Sequence, residues 1–162
     1  MERPHRTRNH IANEGVGQNR YNSYKNAIKR YHMAMEQGFY LEAVAIMESI
    51  IADRLESRLG ELTQAEVTFG NLGSLREELL NAEEGALETN PILVKLYNKI
   101  LSDWAGKRNK ALHQIVKINN AEEKDWDNFL AESKIAAEEG MQYFRLLNKE
   151  LSKERRNNSK QT

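Results

Sequence analysis

The sequence predicts an all-α fold, a bundle of four or five antiparallel helices with short connections, and three observations point there. Only two prolines and nine glycines occur in 162 residues, few for an all-β chain that must turn every ten residues or so. Ala, Leu, Glu, Lys and Asn dominate, a mostly helix-favouring palette. Apolar residues recur at spacings of three and four rather than alternating. With 40% apolar and 30% charged residues, and a mean hydropathy of −0.76, the chain can build one core under a heavily solvated surface. That corresponds to one domain.

The organisation expected is a flexible basic arm over residues 1–20, a helical domain over 21–151 and a basic tail over 152–162. Ser23 can cap a first helix over 23–37, and Gly38 can supply the left-handed residue that ends it. A second helix starting at Phe39 or Tyr40 completes a hairpin. Its stripe of Val44, Met47, Ile51, Leu55 and Leu59, widened by Ala43, Ile46 and Ile50, is that of a central helix, and Gly60 is expected to stop it. Within it Arg54 and Arg58, one turn apart, would repel unless carboxylates intervene. A glycine-punctuated loop follows over 60–73. Ser74 and Glu77 form a capping box for a third helix reaching about residue 88. Asn90 and Pro91 read as cap and first residue of a fourth. Leu93, Leu96, Ile100 and Trp104 line that fourth helix, and Leu112, Ile115 and Val116 resume the face. Gly106 is the expected kink, since glycine costs about 1 kcal/mol there relative to alanine. Asn119 and Asn120 end it, and Asn120 with Glu123 opens a fifth helix carried by Trp126, Phe129, Leu130, Ala137, Met141, Phe144, Leu147 and Leu151.

Formal net charge is zero, so bulk charge predicts no polyanion partner. Its distribution is uneven: both ends are basic and residues 21–144 carry a net of −6. Within that acidic body, residues 95–117 hold six bases against one acid, Asp103. Such a patch suits phosphates, although solvated helix faces commonly carry charge runs. The absence of cysteine excludes disulfide scaffolds, thiol catalysis and thiolate metal sites. No apolar run is long enough to span a bilayer, and no signal-peptide core follows the basic N-terminus. A cytoplasmic protein without membrane attachment is the expectation.

No HExxH, phosphate-binding glycine loop, GxSxG or EF-hand pattern occurs. His5 and His10 lie in the arm without the further ligands that a metal site needs, and His32 is expected to be structural. His113 stands in a different context, the segment Lys107-Arg108-Asn109-Lys110-Ala111-Leu112-His113. On an ideal helix Asn109 and His113 share a side, about 40° apart, whereas Arg108 and His113 diverge by about 140° and about 7.5 Å along the axis. Two copies packed about a two-fold axis would bring the groups into one cleft. Cleavage of RNA by its own 2′-hydroxyl needs a group that moves a proton near neutral pH, which histidine suits. It also needs a cation for the crowded phosphate, which the arginine fork suits. It requires no metal and no other cofactor. Lys107 and Lys110 would add phosphate contacts. Glu48, Asp53 and Glu56 of the second helix are candidates for an acidic contribution, with an ion-paired or solvated role as the default.

The segment Arg108–His113 resembles the R-N-x3-H form of the R-x4-6-H motif of HEPN domains, all-helical proteins common in bacterial toxins and antiviral defence. Trp104 upstream, the aromatic-glycine turn Gln37-Gly38-Phe39-Tyr40 and the alanine- and isoleucine-rich helix ending Arg58-Leu59 resemble the family too, over roughly residues 21–150. The resemblance implies a metal-independent endoribonuclease acting as a homodimer, with Arg108 and His113 catalytic and Asn109 supportive. Its products would carry a 2′,3′-cyclic phosphate and a 5′-hydroxyl. Service in phage defence, a toxin–antitoxin pair or a stress response would follow, with an antitoxin or regulatory protein as partner. The Tyr-x-Tyr segment that some family toxins present for modification does not follow His113. Many members bind nucleic acid or a protein partner without cutting, which is the alternative function. Arg108 is expected on the cleft surface, so that its removal would leave stability within about 1 kcal/mol.

Overall fold

The computed structural model describes residues 7–8, 14–64, 67–68, 72–85, 90–114 and 125–158. Through these the chain runs as β1 (Thr7–Arg8), α1 (Glu14–Glu36), α2 (Tyr40–Thr63), β2 (Val67–Thr68), α3 (Leu72–Glu84) and α4 (Pro91–Asn98). A π-helical segment, Lys99–Trp104, then leads into α5 (Ala105–His113), and α6 (Trp126–Asn158) closes the fold. The fold is an all-α bundle. Its one sheet among the described residues is the two-residue antiparallel pairing of Thr7 with Thr68 and Arg8 with Val67.

The wide apolar stripe makes α2 the central helix, packed against α1, α3, α5 and α6. Ala43, Val44, Met47, Ile51 and Leu55 are fully or almost fully buried along it. Gly38 ends the first hairpin turn with φ +76°, a left-handed conformation that costs glycine little. Opposite α2, α6 contributes Phe129, Ala136, Ala137, Met141, Phe144, Leu147 and Leu151. Trp104 is wholly enclosed between them, and its indole N–H donates to the Ala136 carbonyl at 2.7 Å. Gly140 makes room for that ring. A Cβ there would lie 2.9 Å from Trp104 Cζ2 and 3.0 Å from Met47 Cβ.

Several boundaries differ from the sequence expectation. The first helix begins at Glu14, inside the expected arm, and Ser23 lies within it, its hydroxyl donating to the Asn19 carbonyl at 2.9 Å rather than capping. The arm's Thr7–Arg8 pairs with β2 instead of standing clear of the domain. Helix α2 passes through Gly60, which is buried, and ends with Gln64 in the left-handed region at φ 55°. Packing outweighs the propensity cost of one glycine, about 1 kcal/mol. Helix α3 starts at Leu72, so Ser74 sits inside its first turn. The irregularity in the fourth helix falls at Lys99–Trp104, ahead of the exposed Gly106. The last helix continues to Asn158, across the expected boundary at 151. Asn90 and Pro91 behave as expected, with Asn90 Oδ1 accepting from the N–H groups of Ile92 at 3.1 Å and Leu93 at 3.3 Å. Ile115, Val116, Asn119, Asn120 and Glu123 lie outside the described residues.

One ionic network is sealed into this core. Glu83 has no exposed surface, and its Oε1 accepts from Arg58 Nε and from the Tyr97 hydroxyl, both at 2.9 Å. Arg58 also pairs with Glu154 of α6 at 2.6 Å. Burial weakens the Arg58 cation, but the Glu83 hydrogen bond and the charges of Glu83 and Glu154 more than offset this and hold it protonated. These carboxylates resolve the clash expected between Arg54 and Arg58. The network ties α2, α3, α4 and α6 together at one end of the bundle.

Candidate active site on helix α5

Arg108, Asn109 and His113 all lie on α5, which the Trp104 anchor and the π-helical segment hold against α2 and α6. Such segments recur at functional sites because they re-aim the residues that follow them. Arg108 is only 8% exposed, so within the protomer it is nearly buried, in place of the freely exposed position expected. Its Nη2 pairs with Glu48 of α2 at 2.9 Å, and its Nη1 donates to Asn109 Oδ1 at 2.5 Å. Arg108 Nε is buried and has no hydrogen-bond partner among the described residues. The guanidinium is thus aimed from two sides, with its Nε–H unspent.

His113 ends α5 with its side chain exposed, and Asn109 is exposed one turn before it. The spacing keeps Asn109 and His113 on one side of α5 while Arg108 turns inward. Within one protomer, then, Arg108 is brought to Asn109 and Glu48, and His113 stands apart on the surface. Lys107 pairs with Glu139 at 2.5 Å and Lys110 with Glu132 at 2.6 Å, both carboxylates belonging to α6. Exposed pairs of this kind are worth at most about 1 kcal/mol, so a phosphate can take over either lysine cheaply. Beside them a shallow cavity of about 270 Å³ is lined by Lys107, Lys110, Phe129, Glu132 and Ile135.

Glu48 is the helix-two carboxylate that reaches Arg108. Asp53 is taken by Arg20, at 2.8 Å from Nη2, and by the Tyr24 hydroxyl at 2.5 Å. The signal for Glu48 is present in the sequence: it sits one turn after Val44 and beside Met47, at the margin of the buried stripe. His32 is exposed and meets the Tyr31 ring edge-on at 5.2 Å. His5 and His10 lie outside the described residues. Among the described residues no three His, Asp or Glu side chains cluster as metal ligands, and no helix is long and apolar enough to cross a membrane. Comparisons with protein-family models, curated proteins and solved structures return no significant match.

Proposed function

We propose that the chain is a metal-independent endoribonuclease of HEPN type that cuts RNA in a cleft between two copies of itself. One observation carries the reading: a guanidinium oriented by Glu48 and Asn109 precedes a solvent-exposed imidazole on the same short helix. In the reaction, the 2′-hydroxyl oxygen bonds to phosphorus as an imidazole takes its proton. Arg108 offsets charge on the phosphate oxygens, and the P–O5′ bond breaks with a second imidazole protonating the leaving oxygen. A cyclic phosphate and a 5′-hydroxyl result. Because Arg108 and His113 diverge on one helix, two protomers are needed to surround the phosphate. Defence against phage, a toxin–antitoxin pair or a stress response is the setting this activity suits, in the cytoplasm, with a regulatory protein as partner.

The test is incubation of purified protein with mixed RNA in chelator. Cleavage that persists, leaves cyclic ends and disappears in His113→Ala supports the proposal; intact RNA with wild-type protein overturns it. A second reading, a helical module that binds without cutting, is favoured by the burial and carboxylate pairing of Arg108, which make it a strut between α5 and α2. That reading expects RNA binding that weakens steeply with salt and no cleavage.

A further inference from the structure

A second surface, away from α5, carries chemistry that the proposed cleavage does not use. Where α1, α2 and α6 meet, a groove of about 570 Å³ has Arg20, Tyr21, Tyr24, Lys25, Arg54, Phe144 and Asn148 among its lining residues. No carboxylate is among the lining residues. Tyr24 and Phe144 form its floor as stacked rings, 6.0 Å between centroids at 29°. Asp53 accepts from the Tyr24 hydroxyl and pairs with Arg20. Arg54 lies 5.7 Å over the Tyr24 ring, and its Nε donates to Asn148 Oδ1 at 2.5 Å.

Arg54 differs from the arginines that are matched by a carboxylate. Arg20, Arg58 and Arg108 each have one within ion-pairing distance, whereas Arg54, like Arg76 on Asn98, forms no ion pair among the described residues and is held by a neutral amide. Burial first, with the charges of Arg155 and Arg20 adding to it, destabilises its cation, and Tyr24 and Glu61 offset only part of this. A guanidinium in that position gains from an arriving anion. On the rim, Lys25 and Tyr21 lie one turn apart on α1, and Tyr21 is 63% exposed. An exposed aromatic beside a cationic groove is the arrangement that holds single strands: bases stack on the ring while phosphates follow the cations.

We propose that this groove binds a single-stranded nucleic-acid segment, a base stacking on Tyr21 and a neighbouring phosphate meeting Arg54 and Lys25. The site is independent of the α5 cleavage reading, so either can stand without the other. The probe is a fluorescent single-stranded DNA of about 12 nucleotides, a length such grooves accommodate. It lacks the 2′-hydroxyl and cannot be cut by the proposed route. Binding by the wild-type chain is expected, with Tyr21→Ala and Arg54→Gln each weakening it about tenfold. Lys25→Glu should flatten the dependence of affinity on salt by about one phosphate contact. Tyr21 and Lys25 are exposed, so those two variants fold whatever Arg54→Gln does. The proposal is overturned if the wild-type chain does not bind the strand, if Tyr21→Ala and Lys25→Glu bind as well as wild type, or if a mononucleotide binds as tightly as the strand. RNA cleavage by wild type alongside any of these results would sink the groove and leave the nuclease standing.

Discussion

Two arginines show how neighbours decide what one residue type does. Arg108 and Glu48 form a pair in which the arginine is nearly buried and the carboxylate is 30% exposed. Removing the cation leaves Glu48 half-desolvated and unmatched, at a cost of about 1–3 kcal/mol after allowing for the exposed side. Arg108→Ala is therefore expected to lower the urea midpoint measurably, where a freely exposed residue would have left it alone. Activity measurements on that variant need the folded fraction beside them. At Arg58 the stakes are higher, because Glu83 is fully enclosed. Glu83→Gln keeps the shape and deletes the charge, and should cost about 2–4 kcal/mol in chemical denaturation. A loss below about 1 kcal/mol would show that Tyr97 and Glu154 suffice without it.

At the scale of elements, the crossing of α6 over α2 depends on the missing side chain at Gly140. Gly140→Ala forces its methyl against the Trp104 ring and Met47. Overpacking of this kind costs about 1–3 kcal/mol, readable as a lowered Tm and a changed tryptophan emission. What was legible in the sequence was local. The Gly38 turn, the Asn90 cap with Pro91 and the α2 stripe each depend on residues a few positions apart. Gly60 misled because burial between helices outweighed its intrinsic preference. The π-helical segment was hidden because apolar periodicity averages over one extra residue. At the candidate site, the order of Arg108, Asn109 and His113 was visible, and so was Glu48 as one of three carboxylates. That Glu48 would be the one to pair, or that Tyr21, Lys25 and Arg54 would share a groove, depends on contacts between helices distant in sequence.

Across the whole molecule, described residues from both basic ends pair with the body. Arg20 pairs with Asp53, Arg155 with Glu61, and Glu154 braces the buried Arg58. Truncation after residue 151 is therefore expected to destabilise the fold by about 1–3 kcal/mol, since it strips Arg58 of one of its carboxylates. A truly detached tail would cost nothing, and thermal melts of the two lengths separate the cases. Alkaline pH strains the same architecture. Burial is the leading cause that raises the phenols of Tyr24, Tyr31 and Tyr97 above their ordinary value, with Asp53, Glu138 and Glu83 respectively adding to it. The unfolded chain releases these protons near pH 10 while the folded chain retains them, so stability is intact below that pH and falls as pH rises beyond it. Denaturant midpoints taken on either side of pH 10 should show the decline, and Tyr97→Phe should make it shallower.

The widened turn at Lys99–Trp104 has a consequence for anyone counting residues along this stretch. A π turn closes over one more residue than an α turn, so everything downstream is out of phase with the upstream helix by one position, about 100°. Excising a single residue there, Ser102 for instance, would let the coil tighten into regular α geometry with Arg108 still facing Glu48, whereas tightening it with no residue removed would swing Arg108 about 100° off. The segment works as slack in the helix: it absorbs a surplus residue so that the Arg-Asn pair emerges at the clock position that meets Glu48.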